Sequence, residues 1–171
     1  MSVGNKTLKK PAVKLITIPA FVRGLPPTGE KAILEYYGDP FVENEHWFMR
    51  NMVFYDLPAE LKALWGKKGI WVHRWVKYPL SLALDAIIEA KLTFLIKEFN
   101  GVYNLRKIRG GDKRSFHAFG AAIDLNATQD PMGDKKIDMD EQIVEIFESI
   151  GWTWGGRWEK PDAMHFEWGH Y

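Results

Sequence analysis

Two short segments of the sequence contain side chains that can bind a metal ion. The first runs from Ser115 to Asp124 and includes His117, and the second, Asp162 to His165, places a carboxylate shortly before a histidine. Two imidazoles and one carboxylate are a donor set that a catalytic zinc site uses, with a fourth position open for water. His117, Asp124 and His165 are therefore the candidate metal ligands.

The second acidic residue of these segments suggests a hydrolytic role. Asp162 precedes His165 by three positions, so its carboxylate can lie near the metal without binding it. A carboxylate placed there can take a proton from water and pass it to a leaving amine. The spacing alone also allows a His117 that is only hydrogen-bonded within a loop, and this alternative stays open.

Composition narrows the possible chemistry. The 171-residue sequence has no cysteine, which excludes disulfides, thiolate ligands and a cysteine nucleophile. The formal net charge is +1, from 23 basic and 22 acidic residues, so the charge gives no reason to expect a nucleic-acid partner. Nothing in the sequence indicates an oligomeric state.

The N-terminal region lacks the features of a secretion signal or a membrane span. Its apolar run between Pro11 and Pro19 is interrupted by Lys14, and no stretch reaches the roughly 20 apolar residues of a membrane helix. We therefore expect a protein made in the cytoplasm without a signal peptide and without stable membrane association. Residues 1–27 are predicted to form an extended arm, and residues 28–171 a single domain.

The periodicity of apolar residues predicts an α+β fold with a small antiparallel sheet. The predicted helices are a segment over 30–37 capped by Thr28, a turn over 58–64, a long helix over 81–99 and a helix over 138–150. The predicted strands cover 69–76, 102–106, 121–125 and 164–168. The segment 107–116 is predicted to be a polar loop.

The pattern Ser-x-His-x-x-Gly-x-Ala-x-Asp, followed by a carboxylate-x-x-His, resembles the zinc D-Ala-D-Ala peptidase family. That family includes D-Ala-D-Ala dipeptidases and carboxypeptidases and the L-alanyl-D-glutamate peptidases of phage endolysins. The resemblance spans about residues 70–168, and the phrases over 103–110 and 164–168 are similar to the phage and prophage branch. Its fixed positions in this sequence are Ser115, His117, Gly120, Ala122, Asp124 and His165.

The resemblance implies a hedgehog/D-Ala-D-Ala peptidase-like zinc fold with a small antiparallel sheet flanked by helices. It also implies one catalytic zinc ion held by His117, Asp124 and His165, with Asp162 as the general base. The dipeptidase branch usually has Glu at that position, so the shorter Asp162 favours an endopeptidase.

Three further residues receive roles from the same resemblance. Arg106 best matches the arginine that polarises the scissile carbonyl and stabilises the oxyanion, and Arg109 is the alternative for that role. Either arginine could instead be solvated, and a second one could bind a substrate carboxylate. Ser115 matches a residue that contacts the substrate near the metal.

The sequence therefore leads to the hypothesis of a zinc peptidase acting on peptidoglycan stem peptides. The first choice is cleavage of the L-Ala–D-Glu bond by a phage or prophage endolysin that reaches the cell wall after holin-type release. The alternatives are a D-Ala-D-Ala carboxypeptidase or dipeptidase, and a non-catalytic zinc-containing module that binds the cell wall.

Two features near the C-terminal end complete the expectations. Glu167 shares strand parity with His165 and is expected to lie outside the metal's ligands, either as a carboxylate that orients them or as a structural residue. Four tryptophans cluster in the same region, and at least two are expected in the core while others could line a groove. They are Trp152, Trp154, Trp158 and Trp168.

Overall fold

The computed structural model describes residues 25–42 and 44–171, and within them the chain forms five α-helices and six β-strands. The helices are α1 (Glu30–Tyr37), α2 (Asn44–Asn51), α3 (Ala59–Trp65), α4 (Lys77–Glu89) and α5 (Glu141–Ile150). The strands are β1 (Met52–Asp56), β2 (Gly69–His73), β3 (Phe99–Gly101), β4 (Ala122–Leu125), β5 (Thr153–Trp154) and β6 (His165–Glu167). Short 3₁₀ turns cover Thr93–Leu95, Phe116–Phe119 and Gly155–Arg157.

The strands form two antiparallel sheets. β1 and β2 pair as a two-stranded sheet, and the other four strands form a sheet in the order β3-β4-β6-β5. Helices and small antiparallel sheets occupy the same core, so the predicted α+β fold is confirmed.

Helix α5 packs on the four-stranded sheet on the side opposite to His165. Asp140 caps this helix by accepting a hydrogen bond from the backbone N–H of Gln142. The Phe147 ring stacks on Phe166 of β6 at a centroid distance of 4.3 Å. Because side chains alternate along a strand, Phe166 faces α5, while His165 and Glu167 face away from it.

The predicted helix over 81–99 is displaced in the structure. Helix α4 begins earlier, at Lys77, because Pro79 is tolerated in a first turn, where its missing N–H breaks no helical bond. The helix ends near Lys91, whose backbone has a φ of 58°. The apolar periodicity continues beyond this point because Leu92 and Ile96, which flank the following 3₁₀ turn, remain buried.

The predicted strand over 102–106 is also wrong. The residues that pair with β4 are Phe99–Gly101, directly before the predicted strand. The backbone groups that follow bond to His117. The Val102 carbonyl lies 2.8 Å from His117 Nδ1, and Asn104 N–H donates to the His117 carbonyl at 3.1 Å. The extended segment therefore supports the site instead of extending the sheet.

The N-terminal end of α1 differs from the prediction in its cap. Gly29 occupies the cap position, with no side-chain hydrogen bond, while Thr28 forms a parallel bridge with His170. Most of the predicted arm, residues 1–24, lies outside the described residues. The part that is described, 25–27, lies beside the C-terminal segment, since the Pro27 carbonyl accepts a hydrogen bond from His170 N–H.

Three elements were absent from the sequence-based expectations: α2, β1 and the two-residue strand β5. Over residues 25–42 and 44–171, none of the helices combines the length and the apolar character needed to cross a bilayer.

Candidate metal centre

His117 lies in a 3₁₀ turn whose two ends are specified by the sequence. Ser115 begins the turn, and its Oγ accepts a hydrogen bond from His117 N–H at 3.3 Å. Gly120 ends it in the left-handed conformation, with a φ of 63°. A Cβ at Gly120 would lie 3.0 Å from the backbone N of His73 and 2.5 Å from the Met52 methyl group, so only glycine fits without displacement.

Asp124 and His165 lie directly opposite each other on neighbouring antiparallel strands. The register of β4 and β6 pairs these two residues, and directly paired residues project to the same face of a sheet. His117 comes from the turn that leads into β4. Two strands and one turn thus bring the three candidate ligands to one point.

The donor atoms of these residues converge closely enough to share one ion. His117 Nε2 lies 3.1 Å from Asp124 Oδ2, His165 Nδ1 lies 2.9 Å from Asp124 Oδ1, and the two ring nitrogens are 3.2 Å apart. Tetrahedral zinc ligands at about 2.0–2.2 Å from the metal lie about 3.3–3.6 Å from one another, slightly farther apart than these atoms are in the structure. The spacing and the nitrogen–oxygen donor set therefore fit a zinc ion, and within the described residues this is the one cluster of its kind.

Hydrogen bonds outside the cluster orient both imidazoles. His117 Nδ1 faces the Val102 carbonyl at 2.8 Å, and because a carbonyl only accepts, this nitrogen carries the proton. His165 Nε2 faces the carboxylate of Glu167 at 3.0 Å. The remaining nitrogens, His117 Nε2 and His165 Nδ1, point to the shared position.

The charges at the cluster reinforce one another. Burial would raise the pKa of Asp124, but hydrogen bonds with His117 and His165 outweigh it and hold that pKa well below its usual range. Burial likewise opposes protonation of His165, yet its bonds to Asp124 and Glu167 raise its pKa to about 10. The position between these groups thus favours positive charge, and a bound cation would displace the proton from His165.

Asp162 lies at the edge of the same site. His165 N–H donates to the Asp162 carbonyl at 3.0 Å, so a tight turn places both side chains near the cluster. Its Oδ1 is buried without a hydrogen-bond partner. The pKa of Asp162 is raised, and burial is the main cause. The charge of Asp124 also raises this pKa, whereas His165, His117 and Arg106 lower it without cancelling the effect of burial. A carboxylate of raised pKa is suited to receive and return a proton.

A cavity of about 160 Å³ opens over the cluster, and the remaining candidate residues, Arg106, Arg109 and Ser115, line it. Arg106 is half-buried at its wall, and Arg109 is exposed at its rim. Arg106 is the arginine whose charge acts on Asp162. The lining residues include Arg106, Arg109, Ser115, Asp124, Trp158, Asp162, His165 and Glu167.

The two arginines lie on a hairpin-like loop that leads into the ligand turn. Ser115 N–H donates to the Arg106 carbonyl at 3.1 Å, and Ile108 N–H to the Lys113 carbonyl at 2.9 Å. The predicted polar loop therefore has an ordered base. Arg106 stands at that base, whereas Arg109 stands near the exposed tip.

The sequence analysis missed one contributor to the site, a backbone carbonyl, and left open which of the clustered tryptophans lines the cavity. The Val102 carbonyl orients His117, and no side-chain pattern reveals a backbone acceptor. Trp158 lines the cavity with its ring 5.5 Å from that of His165. The expectation of core tryptophans is confirmed, since Trp152, Trp154 and Trp168 are buried.

Comparison with protein-family models gives a match to the C-terminal part of the chain. Residues 109–168 match the family model described as D-alanyl-D-alanine carboxypeptidase. No curated protein and no solved structure matches the chain. The matched segment contains His117, Asp124, Asp162 and His165, and peptidases of this family are zinc enzymes. The match covers the whole candidate metal centre, so over this segment the chain is similar to D-Ala-D-Ala carboxypeptidases.

Proposed function

We propose that this protein is a zinc-dependent peptidase that hydrolyses a peptide bond in peptidoglycan stem peptides. The observation that carries the proposal is the convergence of His117, Asp124 and His165 on one point, beside the cavity that Asp162 lines. A structural cluster of buried charges would account for the three ligands. It would not account for an acidic side chain whose buried oxygen lacks a partner.

The residues of the cavity divide the chemistry between them. A zinc ion held by the three ligands would supply a Lewis acid that polarises a carbonyl and lowers the pKa of water to about 7. Asp162 takes the proton from the attacking water and delivers it to the leaving amine. Arg106 stabilises the negative charge that develops on the carbonyl oxygen, because its guanidinium is always protonated.

Arg109 and Ser115 contact the substrate in this proposal. The stem peptide carries carboxylates, and a guanidinium can bind a carboxylate through two parallel hydrogen bonds. Arg109 is exposed at the rim, where it can meet a carboxylate that remains outside the cavity. Ser115 lies in the wall beside the ligand turn.

The bond that we propose first is L-Ala–D-Glu. The shorter carboxylate at Asp162 is similar to the endolysin branch and unlike the Glu usual in dipeptidases. A phage or prophage endolysin would then reach the wall after holin-type release. The second candidate is a D-Ala-D-Ala carboxypeptidase, which the description of the matching family favours.

A non-catalytic wall-binding module is the third reading. Such a module needs no proton acceptor beside its metal. The position of Asp162 and the raised pKa of its carboxyl therefore favour an enzyme over a binding module.

The test is mass spectrometry of the fragments that the protein releases from purified peptidoglycan. The protein is used as purified, after chelator treatment, and after zinc is restored. Chelator-sensitive fragments with new D-Glu amino termini would establish the endopeptidase. Release of free D-Ala would establish the carboxypeptidase instead.

Two variants make this experiment specific to the metal centre. His117→Ala should lose both bound zinc and activity, whereas His46→Ala, which alters an exposed histidine on α2, should keep both. Full zinc content in His117→Ala would refute its role as a ligand. Absence of cleavage by the fully zinc-loaded wild type would favour the binding module.

A further inference from the structure

Glu167 is a buried carboxylate next to the candidate metal centre. It is only 5% exposed and lies on β6, where it pairs with Ala122 on one side and Thr153 on the other. Its Oε2 accepts a hydrogen bond from His165 Nε2 at 3.0 Å. A carboxylate that is removed from water requires a partner, and His165 provides one here.

The two nitrogens of His165 face two different acidic groups. Nδ1 lies 2.9 Å from Asp124 Oδ1, within the ligand cluster, and Nε2 faces Glu167. The lone-pair directions of Nδ1 and Nε2 diverge across the imidazole ring. Glu167 therefore approaches His165 from the side away from the cluster, so it is not a fourth ligand.

We propose that Glu167 is a positioning residue that keeps a proton on His165 Nε2 and leaves Nδ1 free to bind the metal. A carboxylate accepts hydrogen bonds, so the facing nitrogen must carry the proton, and the tautomer is thereby selected. An acidic acceptor also makes the imidazole a stronger ligand. This inference rests on the zinc site of the proposed function.

His117 and His165 are oriented in different ways. The Val102 carbonyl selects the Nδ1–H tautomer of His117, so His117 binds through Nε2. Glu167 selects the opposite tautomer of His165, so His165 binds through Nδ1. A backbone acceptor cannot be removed by substitution, whereas Glu167 can, which makes the second arrangement directly testable.

The test compares zinc affinity in Glu167→Ala, Glu167→Gln and the wild type, by competition with a chromophoric chelator. Loss of an outer partner of this kind weakens metal binding about 10- to 100-fold, and we expect this for Glu167→Ala. Glu167→Gln should lose less, because its amide oxygen can still accept from Nε2. Glu145→Ala, which removes an exposed carboxylate from α5, is the matched control.

A spectroscopic measurement separates positioning from a general structural effect. Nitrogen-15 NMR of the zinc-loaded wild type should show a protonated Nε2 and a metal-bound Nδ1 for His165. Glu167→Gln should retain this pattern. Glu167→Ala should show a mixture of states, in which the metal is bound by Nδ1 in some molecules and by Nε2 in others. Wild-type zinc affinity together with unchanged His165 resonances in Glu167→Ala would overturn the proposal.

These measurements do not depend on turnover. A wild type that binds zinc but cleaves no peptidoglycan would overturn the proposed function and leave the role of Glu167 intact. A wild type that binds no zinc would overturn both. Should Glu167→Ala fail to fold, Glu167→Gln still decides the matter, since a uniform metal-bound Nε2 in that variant contradicts the proposal.

Discussion

Arg114 donates hydrogen bonds to both carboxylate oxygens of Asp39, a residue 75 positions earlier in the chain. The same guanidinium lies 3.6 Å from Glu30 on α1. The Arg114 carbonyl accepts a hydrogen bond from the Tyr171 hydroxyl at 2.6 Å. Because Arg114 directly precedes Ser115, this ion pair anchors the arginine-bearing loop and the start of the ligand turn to α1.

Substitution of Asp39 should therefore affect both stability and substrate binding. We expect Asp39→Asn to lower the free energy of unfolding by about 1–2 kcal/mol, because a bidentate, partly buried pair contributes more than an exposed one. We also expect a raised KM, because the loop loses its anchor. Denaturant unfolding and steady-state kinetics measure the two effects. Asp56→Asn, which breaks an exposed pair with Lys62, is the control and should change neither by much.

Removal of the general base should separate catalysis from metal binding. We expect Asp162→Ala to lose about 100- to 10,000-fold in kcat, the range typical of a general acid–base residue, while zinc stays bound. Turnover assays and metal analysis on the same preparation measure both quantities. Unchanged activity would remove Asp162 from the mechanism, and lost zinc would make it a ligand.

The two arginines should give different kinetic effects. Arg106→Ala should lower kcat about 100- to 1,000-fold, as loss of an oxyanion-stabilising donor does, because Arg106 lies at the cavity wall near Asp162. Arg109→Ala should mainly raise KM, because the residue stands at the exposed rim. Measurement of kcat and KM for both variants decides between them. The reverse pattern would give the oxyanion role to Arg109.

His73 should make the protein sensitive to mild acid. Its ring is fully buried, 4.8 Å from the ring of Tyr37, and burial together with the charge of Arg74 lowers its pKa to about 3. In the unfolded chain the pKa is near 6.5, so the unfolded state takes up the proton first as the pH falls. The stability that neutral His73 contributes is complete above pH 6.5 and decreases progressively between about pH 6.5 and 3.

Denaturant unfolding at two pH values tests this prediction. Between pH 6.5 and 5 the free energy of unfolding of the wild type should fall by about 2 kcal/mol more than that of His73→Gln. The expected slope is at most about 1.4 kcal/mol for each pH unit. His46→Gln, which alters an exposed histidine, should behave like the wild type. Equal losses of stability in the wild type and His73→Gln would show that the pKa of His73 is the same in the folded and unfolded states.

Much of the fold was predictable wherever a segment carries its own local signal. Helix α5 has a capping Asp140 and a continuous apolar stripe, and it forms close to its expected bounds. Strands β4 and β6 are short apolar runs and were also expected. The limits of α4 were not, because buried residues after Lys91 continue the helical period without continuing the helix.

The sequence by itself determined which side chains are available for the chemistry. Without cysteine, a metal can be held only by imidazoles and carboxylates, and the spacing around His117, Asp124 and His165 identifies the candidates. These conclusions follow from residue type and local order, which the chain carries before it folds.

Only the tertiary structure decided how those side chains meet. The register of β4 against β6 sets Asp124 opposite His165, and the Val102 carbonyl and Glu167 face the outer nitrogens of the two histidines. Asp124 and His165 are distant in sequence, the Val102 acceptor belongs to the backbone, and the type of residue 167 does not tell which ring nitrogen it faces. Because strand pairing and backbone acceptors have no local sequence signature, they could be found only once the chain was folded.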